Sequence, residues 1–335
     1  MPSAYILQTY AKVSLCSERL QVVSYNKENG TEELIREIPL RELERLVLDQ
    51  TVSITTPALC ELLLRNIPIS FIGFNGQILG GFFPPPNSHG LWRLKQYQNC
   101  LDPKSVLAYS KQLVKAKIYN QRRSLQRLSS NRKINNENDI EWLNHLLFKV
   151  ASAATVDEIR GYEGASTARY FQCWATFLPQ EFPFERRSNR PPLNPVNACI
   201  SFGATLLYNE MTALIHLHGL DPALGFLHAP ENERWSLALD LIEPFRPVIV
   251  EALALDLFSH KILNKEHFEK KNGGCYLNEL GRKKFLAQYE TRLERQFQSE
   301  FSGSRTTLRA QLEGCVCSFK AALEDPSKFE PFLMN

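Results

Sequence analysis

The sequence predicts an α+β protein with two domains. Residues 1–84 consist of short runs in which apolar and polar residues alternate, whereas residues 91–335 have the apolar spacing of helices. Between them, the stretch "FFPPPNSHG" (82–90) contains three successive prolines, which interrupt regular structure. We therefore expect a small β-rich N-terminal domain over residues 1–84, a Pro-rich linker over 85–90 and a larger all-α domain over 91–335.

The N-terminal domain is expected to contain a small sheet built from hairpins. Turn signals such as "NKENG" and "FNG" separate its alternating runs, which are "AYILQTYAKVSLC", "RLQVVSYN", "ERLVLDQTVSIT" and "IPISFIGFNGQILGGFF". One helix, at about residues 56–66, interrupts the strands, with Thr56 as its cap and Pro57 at its first helical position.

The helical domain begins with a long amphipathic segment. Its apolar residues are separated by seven, four, seven and three positions, which places them on one face of a helix: Leu107, Val114, Ile118, Leu125 and Leu128. From residue 155 onward apolar segments continue without alternation, so we expect helices through the rest of the sequence.

The composition excludes several classes of protein. The 335 residues are 44% hydrophobic and 22% charged, with a net charge of +3, which is ordinary for a globular protein. No uncharged apolar run reaches about 18 residues and the N-terminus reads as a strand, so neither a membrane span nor a secretory signal is expected. Eight scattered cysteines form no CxxC pair, which argues against a zinc ribbon and a disulfide framework. Reduced thiols are typical of a cytoplasmic protein.

A basic stretch runs from Lys104 to Lys133 without an acidic residue. It contains nine basic residues, at positions 104, 111, 115, 117, 122, 123, 127, 132 and 133. An ordinary exposed helix mixes signs, because opposite charges four residues apart attract and like charges repel. Two interpretations remain open: a solvated helix face, or a face that binds the phosphate backbone of a nucleic acid.

One histidine and two acids occur in the apolar segment "GFLHAPENERWSLALDLIEPFRP" (225–247). Asp240 and Glu243 are three residues apart and so project from one face of a helix. His228 precedes them by a polar turn that allows the chain to fold back. An imidazole with carboxylate oxygens suits Mg²⁺ or Mn²⁺. The alternative is that the acids pair with Arg234 or Arg246 and that the histidine is an ordinary core or surface residue.

A third candidate ligand is Glu163, which lies between Gly161 and Gly164 in "VDEIRGYEGASTARYF" (156–171). A glycine inside a helix costs about 1 kcal/mol relative to alanine, so two of them require a reason. Small residues allow a ligand or another backbone to come close to the acid between them. The alternative is tight packing of helices, with Glu163 at the surface.

Four motifs in this order closely resemble the CRISPR-associated endonuclease and integrase of the spacer-acquisition (adaptation) module. They are "RGYEGASTARYF", "NPVNACISFGATLLYNEM", "GLDPALGFLH" and "SLALDLIEPFRPVIVE". Three further segments, "IPISFIGFNGQILGGFFP", "AKIYNQRRSLQR" and "CYLNELGRKKFLAQYETRLER", are similar to that family as well. The resemblance therefore extends over nearly the whole chain.

The resemblance implies that the helical domain is catalytic and that the chain forms a homodimer. It also implies a small ferredoxin-like adaptation partner protein and double-stranded DNA as the substrate. Carried over by motif, one Mg²⁺ or Mn²⁺ is bound by Glu163, His228 and Glu243, with Asp240 as a further acid close to the metal. Tyr162 replaces the aliphatic residue usual before the glutamate, which we expect to affect packing only.

The implied reaction is attack of a DNA 3′-hydroxyl on a phosphodiester of the CRISPR repeat, which inserts a short foreign DNA segment. Metal-dependent cleavage follows the same geometry, with water as the nucleophile. We expect Arg246 to hold the DNA strand, Asn197 to orient a ligand or contact DNA, and Arg122 and Arg123 to bind the duplex backbone. The alternatives are a stand-alone metal-dependent nuclease, a transposon-type integrase and a noncatalytic DNA-binding scaffold.

Overall fold

The computed structural model describes residues 3–25, 31–74, 76–84, 89–232, 234–300 and 303–335. The chain divides into two compact units, an N-terminal unit of residues Met1–Ser88 and a C-terminal unit of residues His89–Asn335. Most of the linker expected at 85–90 lies outside the described residues; Gly90 is already the first residue of a helix.

In the described part of the N-terminal unit there are two four-stranded sheets, one α-helix and a short 3-10 helix, Leu40–Glu42. The strands are β1 (Ser3–Ile6), β2 (Lys12–Cys16), β3 (Arg19–Tyr25), β4 (Glu32–Pro39), β5 (Arg45–Asp49), β6 (Ser53–Ile54), β7 (Ile69–Ile72) and β8 (Ile78–Phe82), and α1 is Thr56–Leu64. One sheet has the order β1-β5-β7-β8 and the other β4-β3-β2-β6. The β-rich character expected for the N-terminal region is confirmed.

The topology of this unit differs from the simple hairpin sheet that we expected. Among the strands that the structure describes here, β2–β3, β3–β4 and β7–β8 are antiparallel neighbours, whereas β1–β5, β5–β7 and β2–β6 pair in parallel. A parallel pair requires a crossover connection, which a turn signal does not reveal. Helix α1 is also two residues shorter than expected, and its N-cap is Thr55 rather than Thr56.

The C-terminal unit is mainly helical. Its helices are α2 (Gly90–Leu101), α3 (Pro103–Arg132), α4 (Glu137–Ser152), α5 (Val156–Ala175), α6 (Pro195–Leu217), α7 (Ser236–Ile242), α8 (Ala252–Ser259), α9 (Glu279–Glu294) and α10 (Leu308–Ala322). A π-helical turn, Pro247–Glu251, separates α7 from α8. Helix α6 is apolar enough to cross a membrane by composition, but 72% of its apolar window is buried inside the protein, as in the core helix of a folded domain.

The expectation of an all-α second domain is wrong in two places. Strand β9 (Phe268–Lys271) pairs with β10 (Gly274–Leu277), and β11 (Gln296–Gln298) pairs with β12 (Arg305–Thr307). Both are antiparallel pairs of only three or four residues, too short to produce an alternating pattern that stands out among helices.

Helix α3 is the central element of the C-terminal unit. It begins at Pro103 with Asp102 as its N-cap, whose carboxylate accepts hydrogen bonds from the amides of Lys104 and Ser105. It extends for 30 residues, or about 45 Å, before Lys133 ends it in the left-handed conformation. It packs against α2, α4, α5 and the π-helical turn, and its middle part is buried. This position brings Lys117 and Asn120 of α3 next to Glu163 and the segment that carries Glu243.

Candidate active site

A buried lysine lies between two of the acids that the sequence singled out. The ammonium of Lys117, on α3, forms ion pairs with Oε1 of Glu163 and with Oε2 of Glu243, the latter at 2.5 Å. The Lys117 side chain is only 5% exposed. Burial by itself would lower the pKa of Lys117, but the charges of Glu243 and Glu163 outweigh it and raise this pKa. The two acids, from different helices, therefore converge on one cation.

Glu163 projects from the middle of α5. Besides its ion pair with Lys117, Oε1 of Glu163 accepts a hydrogen bond of 3.0 Å from the hydroxyl of Thr167, one turn further along the helix. Gly161 and Gly164 are exposed, and a Cβ atom at either position would have no neighbour within 4 Å. Tight helix packing is therefore not the reason for these glycines, and the surface beside Glu163 is open.

Glu243 lies just beyond the last residue of α7, where Pro244 and Pro247 prevent the α-helix from continuing. Its Oε1 accepts a hydrogen bond of 3.0 Å from Arg246, and its Oε2 faces the ammonium of Lys117 at 2.5 Å. Burial opposes ionisation of Glu243, but the charges of Lys117 and Arg246 hold its pKa at about 2. The carboxylate is therefore ionised while almost completely buried.

Asp240 is fully buried and binds the loop that carries His228. Its Oδ2 accepts hydrogen bonds from the amides of Phe226 and Leu227, at 2.6 and 3.1 Å, and its Oδ1 accepts one from the amide of His228 at 2.9 Å. Nδ1 of His228 lies 2.7 Å from the same Oδ1. Protein donors reach both oxygens of Asp240, an arrangement that suits an acid positioning the histidine loop.

The imidazole of His228 is held in one orientation by this carboxylate. Burial would lower the pKa of His228, but the hydrogen bond and the charge of Asp240 raise it above its ordinary value. Since Nδ1 is bonded to Asp240, Nε2 is the nitrogen that remains for a ligand. This carboxylate–imidazole pair has the arrangement by which proteins commonly orient a metal-binding histidine.

Arg160 and Gly225 keep the histidine loop next to α5. Nε of Arg160 donates a hydrogen bond of 2.9 Å to the carbonyl of Leu227, and Arg160 lies one turn before Glu163. A Cβ at position 225 would approach the carbonyl oxygen of His228 and Cβ of Ser236 to 2.6 Å, so only glycine fits this turn. Sequence reasoning missed Arg160, which lacks a distinguishing pattern of its own.

Asn120 connects α3 to the turn that follows Glu243. Its amide nitrogen donates to the carbonyls of Pro244 and Phe332, at 2.7 and 3.0 Å, and its oxygen accepts from the amide of Met334. Asn120 is completely buried. With Lys117 one turn away, α3 binds the acid-bearing segment at two adjacent points.

A second group of charged residues lies close to Glu243, and Glu251 is its buried member. Nε of Arg246 is 3.8 Å from Oε1 of Glu251, in the π-helical turn. Burial raises the pKa of Glu251 to about 7 in spite of the charges of Arg246 and Lys117. Burial also lowers the pKa of Arg187 to about 10.

Asn197, which we expected to orient a ligand or contact DNA, binds protein groups with both polar atoms of its side chain. It is 1% exposed. Its oxygen accepts hydrogen bonds from Arg187 and from the amide of Ser188, and its nitrogen donates to the carbonyl of Arg186. Both polar atoms of its side chain are therefore satisfied within the protein, and it fixes the loop before α6.

The basic stretch on α3 is not one solvated face. Arg122 donates to Asn144 at 2.9 Å and lies over the ring of Tyr119, and Arg123 donates to the carbonyl of Asn335 at 3.1 Å. Both arginines are half-buried. The most informative member of the stretch is Lys117, which the sequence offered only as one more cation. Its spacing from Val114 and Leu125, three and eight positions, already placed it on the apolar face of the helix.

The three expected metal ligands are not equally close together. Glu163 and Glu243 meet at Lys117, and the charge of His228 contributes to the low pKa of Glu243, so the imidazole is nearby. Within the part of the chain that the structure describes, no three His, Cys, Asp or Glu residues are grouped closely enough to hold a metal ion. Lys117 instead supplies the positive charge between the two acids.

The chain thus combines a β-rich N-terminal unit with a helical unit that contains buried acids, a carboxylate-bound histidine and several arginines, which suits an enzyme that acts on nucleic acid. The family model for CRISPR associated protein Cas1 matches residues 4–291. The chain belongs to this family. It is 37% identical over 283 residues to a CRISPR-associated endonuclease Cas1 from Thermodesulfovibrio yellowstonii, which covers 83% of this chain and 86% of the relative. The family and enzyme class expected from the motifs are confirmed.

Solved structures share this fold over its whole length. A Cas1 protein from Thermotoga maritima is 26% identical, with a TM-score of 0.79 and complete coverage of both chains. A chain of a partial Cas6-RT-Cas1–Cas2 complex is 25% identical, with a TM-score of 0.70 and coverage of 100% and 99%. A casposase bound to its integration product has a TM-score of 0.85 over 99% of this chain and 93% of its own, but at 22% identity it supports only the fold.

Proposed function

We propose that this chain is a DNA endonuclease and integrase of CRISPR adaptation, which inserts short foreign DNA segments into the repeat array. One observation carries the proposal: Glu163 and Glu243, which are far apart in sequence, converge on a single buried cation beside a histidine that Asp240 orients. Membership of the Cas1 family supports the same function.

The types of donor at this site, rather than their present spacing, fit a divalent cation. Glu163 and Glu243 offer hard carboxylate oxygens, and both already attract one shared positive charge, the ammonium of Lys117. Glu163, Glu243 and Nε2 of His228 would hold Mg²⁺ or Mn²⁺, with Asp240 as the partner that orients the imidazole. Such an ion would neutralise the negative charge that develops on a phosphate oxygen. It would also lower the pKa of the attacking hydroxyl.

The protein's own groups prepare the DNA for this reaction. Arg246 is 23% exposed and already pairs with Glu243, so its guanidinium lies where it can hold a phosphate next to the acids. Gly161 and Gly164 leave the surface beside Glu163 open, which allows a DNA backbone to approach the carboxylate. Arg122 and Arg123 remain our candidates for contacts to the duplex, although each already binds a protein group.

We further propose that the active form is a cytoplasmic homodimer that binds double-stranded DNA and a small ferredoxin-like adaptation partner. The similarity to a chain from a Cas1–Cas2 complex supports such a partner. Two copies of the site suit a reaction that occurs at both ends of a repeat, because each 3′-hydroxyl needs its own set of acids.

Strand transfer on repeat-containing DNA, with plain duplex as the reference, tests the function. We expect Glu163→Gln, His228→Ala and Glu243→Gln each to abolish integration and cleavage while DNA binding largely persists. Asp157→Asn is the matched control: Asp157 lies on α5 as well, and its side chain is 88% exposed in an ion pair with Arg160.

Each outcome of this assay has a definite meaning. If the Glu163→Gln variant integrates DNA as well as the wild type, Glu163 is not part of the active site. Cleavage of plain duplex without strand transfer would indicate a stand-alone nuclease instead. If the wild type binds DNA in the presence of Mg²⁺ or Mn²⁺ but carries out neither reaction, the chain is a noncatalytic DNA-binding scaffold.

A further inference from the structure

Protein cations already face both oxygens of Glu243. Lys117 lies 2.5 Å from Oε2, and Arg246 donates to Oε1 at 3.0 Å. Glu163 shares the same ammonium through its Oε1. A dication shared by these two carboxylates would therefore lie next to the ammonium of Lys117 and compete with it for their negative charge.

Lys117 and a divalent ion cannot bind the same two oxygens together. Like charges a few ångströms apart repel strongly in a buried site, where little water screens them. The Lys117 side chain is only 5% exposed, so its ammonium is not a mobile surface charge. The backbone of Lys117 is held in the buried part of α3. One turn away, Asn120 of the same helix binds the turn after Glu243.

We propose that the ammonium of Lys117 competes with the divalent ion for Glu163 and Glu243 and leaves these carboxylates when the ion binds. This inference rests on the proposed metal-dependent function. Without metal, Lys117 holds the two acids together by neutralising their repulsion. With metal, the same lysine is released beside the carboxylates, so it sets the metal affinity of the site.

Binding of Mn²⁺ to the full chain without DNA tests the competition. We expect Lys117→Met to bind Mn²⁺ about tenfold more tightly than wild type, because a competing unit charge is removed from the site. Lys117→Arg keeps the charge and should show no such gain. Lys115→Met is the matched control: Lys115 is exposed on the same helix, and its loss should leave the Mn²⁺ affinity unchanged.

Calorimetry or the electron paramagnetic resonance of free Mn²⁺ measures these affinities. A Lys117→Met protein that binds Mn²⁺ equally or less tightly than wild type would overturn the proposal. An equal gain from Lys115→Met would also overturn it, because the effect would then reflect net charge alone.

Amine labelling of the wild-type chain gives a second measurement that does not depend on a variant that folds. Mass spectrometry compares acylation of Lys117 with and without Mn²⁺, with Lys115 as the internal reference. We expect Mn²⁺ to raise the labelling of Lys117 several-fold. If Mn²⁺ binds and the acylation of Lys117 stays the same or falls, the lysine is not displaced. That result would overturn the proposal.

The strand-transfer assay on the wild type separates this inference from the proposed function. If the wild type integrates DNA but Lys117→Met gains no Mn²⁺ affinity, only the competition is wrong. If the wild type carries out no strand transfer, the proposed function fails, and the binding and labelling results still decide whether Lys117 competes with the ion.

Discussion

Asp240 illustrates how a buried acid can position its neighbours. Three backbone amides and one imidazole surround its carboxylate, and the residue is fully buried. A buried charge is tolerated only where hydrogen bonds of this kind replace water. Asp240 therefore determines both the shape of the loop 226–228 and the orientation of His228.

Asp240→Asn should destabilise the fold as well as the site. An amide offers one acceptor oxygen and adds donors that face backbone N–H groups, so we expect a loss of about 1–3 kcal/mol in the free energy of unfolding. Urea denaturation measures it. Asp256→Asn, which removes a half-exposed ion pair with Arg292, is the control and should cost about 1 kcal/mol or less. Equal effects of the two variants would contradict the proposed role.

Glu251 should give the folding stability a pH dependence. Its folded pKa of about 7 lies above its ordinary value of 4.5, so the folded protein holds a proton that the unfolded chain has already lost. The contribution of Glu251 to stability is therefore present at low pH and is lost as the pH rises towards about 7, by at most about 1.4 kcal/mol per pH unit.

Glu251→Gln tests this dependence, because glutamine does not titrate. The free energy of unfolding of this variant, relative to wild type, should rise from pH 4.5 to pH 7 and stay level above it. Urea denaturation at several pH values gives the difference, in which the other titrating groups cancel. A constant difference over this range would mean that the carboxyl of Glu251 is not protonated in the folded state.

Helix α5 combines a functional acid with two positions that are poor for helix stability. Gly161 and Gly164 face open space, so no neighbour in the described structure demands glycine there. Their backbones are helical, which alanine adopts more readily than glycine. The glycines thus lower the stability of α5. Because they have no side chain, they also leave the helix surface beside Glu163 open.

Replacing both Gly161 and Gly164 with alanine should stabilise the protein. Each change is worth up to about 1 kcal/mol in a helix interior, and neither new methyl group meets a neighbour. Thermal and urea denaturation should both show the gain. Gly225→Ala is the contrasting variant, because its Cβ would approach Ser236 and the carbonyl of His228, and it should lower stability. Loss of stability in the α5 variant would reveal a packing contact there.

Helix α3 shows how an element can be misjudged from its charge alone. Its cations have different surroundings: Lys117 is buried between acids, Arg123 and Arg127 bind the carbonyl of Asn335, and Lys115 is exposed. The basic residues of α3 therefore have three different roles: some pack inside the protein, Lys117 binds the acids of the site, and others lie at the surface.

At the scale of the whole molecule the net charge is only +3, so the DNA binding that we propose would depend on where the cations lie. Substituting Arg122 and Arg123 together with glutamine should weaken duplex binding. The slope of affinity against salt should fall by about 0.9 for each phosphate that the variant no longer neutralises. Binding measured at several salt concentrations checks both expectations.

Arg41→Gln is the control for this variant, because Arg41 is largely exposed in the N-terminal unit. The free energy of unfolding has to be measured alongside, since Arg122 and Arg123 also bind Asn144 and Asn335. A stable double variant with unchanged affinity and salt slope would remove both arginines from the DNA interface.

The sequence by itself determined the family, the β-rich character of the N-terminal region and the residue types of the site. Motif order and hydrophobic periodicity are local properties of a chain, so they can be read without a structure. The resemblance to the family, by contrast, is what indicated Glu163, His228, Asp240 and Glu243 as a set.

Only the tertiary structure decided what these residues contact. It placed Lys117 between Glu163 and Glu243, enclosed Asp240 in backbone amides, turned Asn197 inward and paired strands in parallel. Each of these facts joins segments that are distant in sequence. Such contacts follow from how helices and strands pack, and no local pattern contains that information.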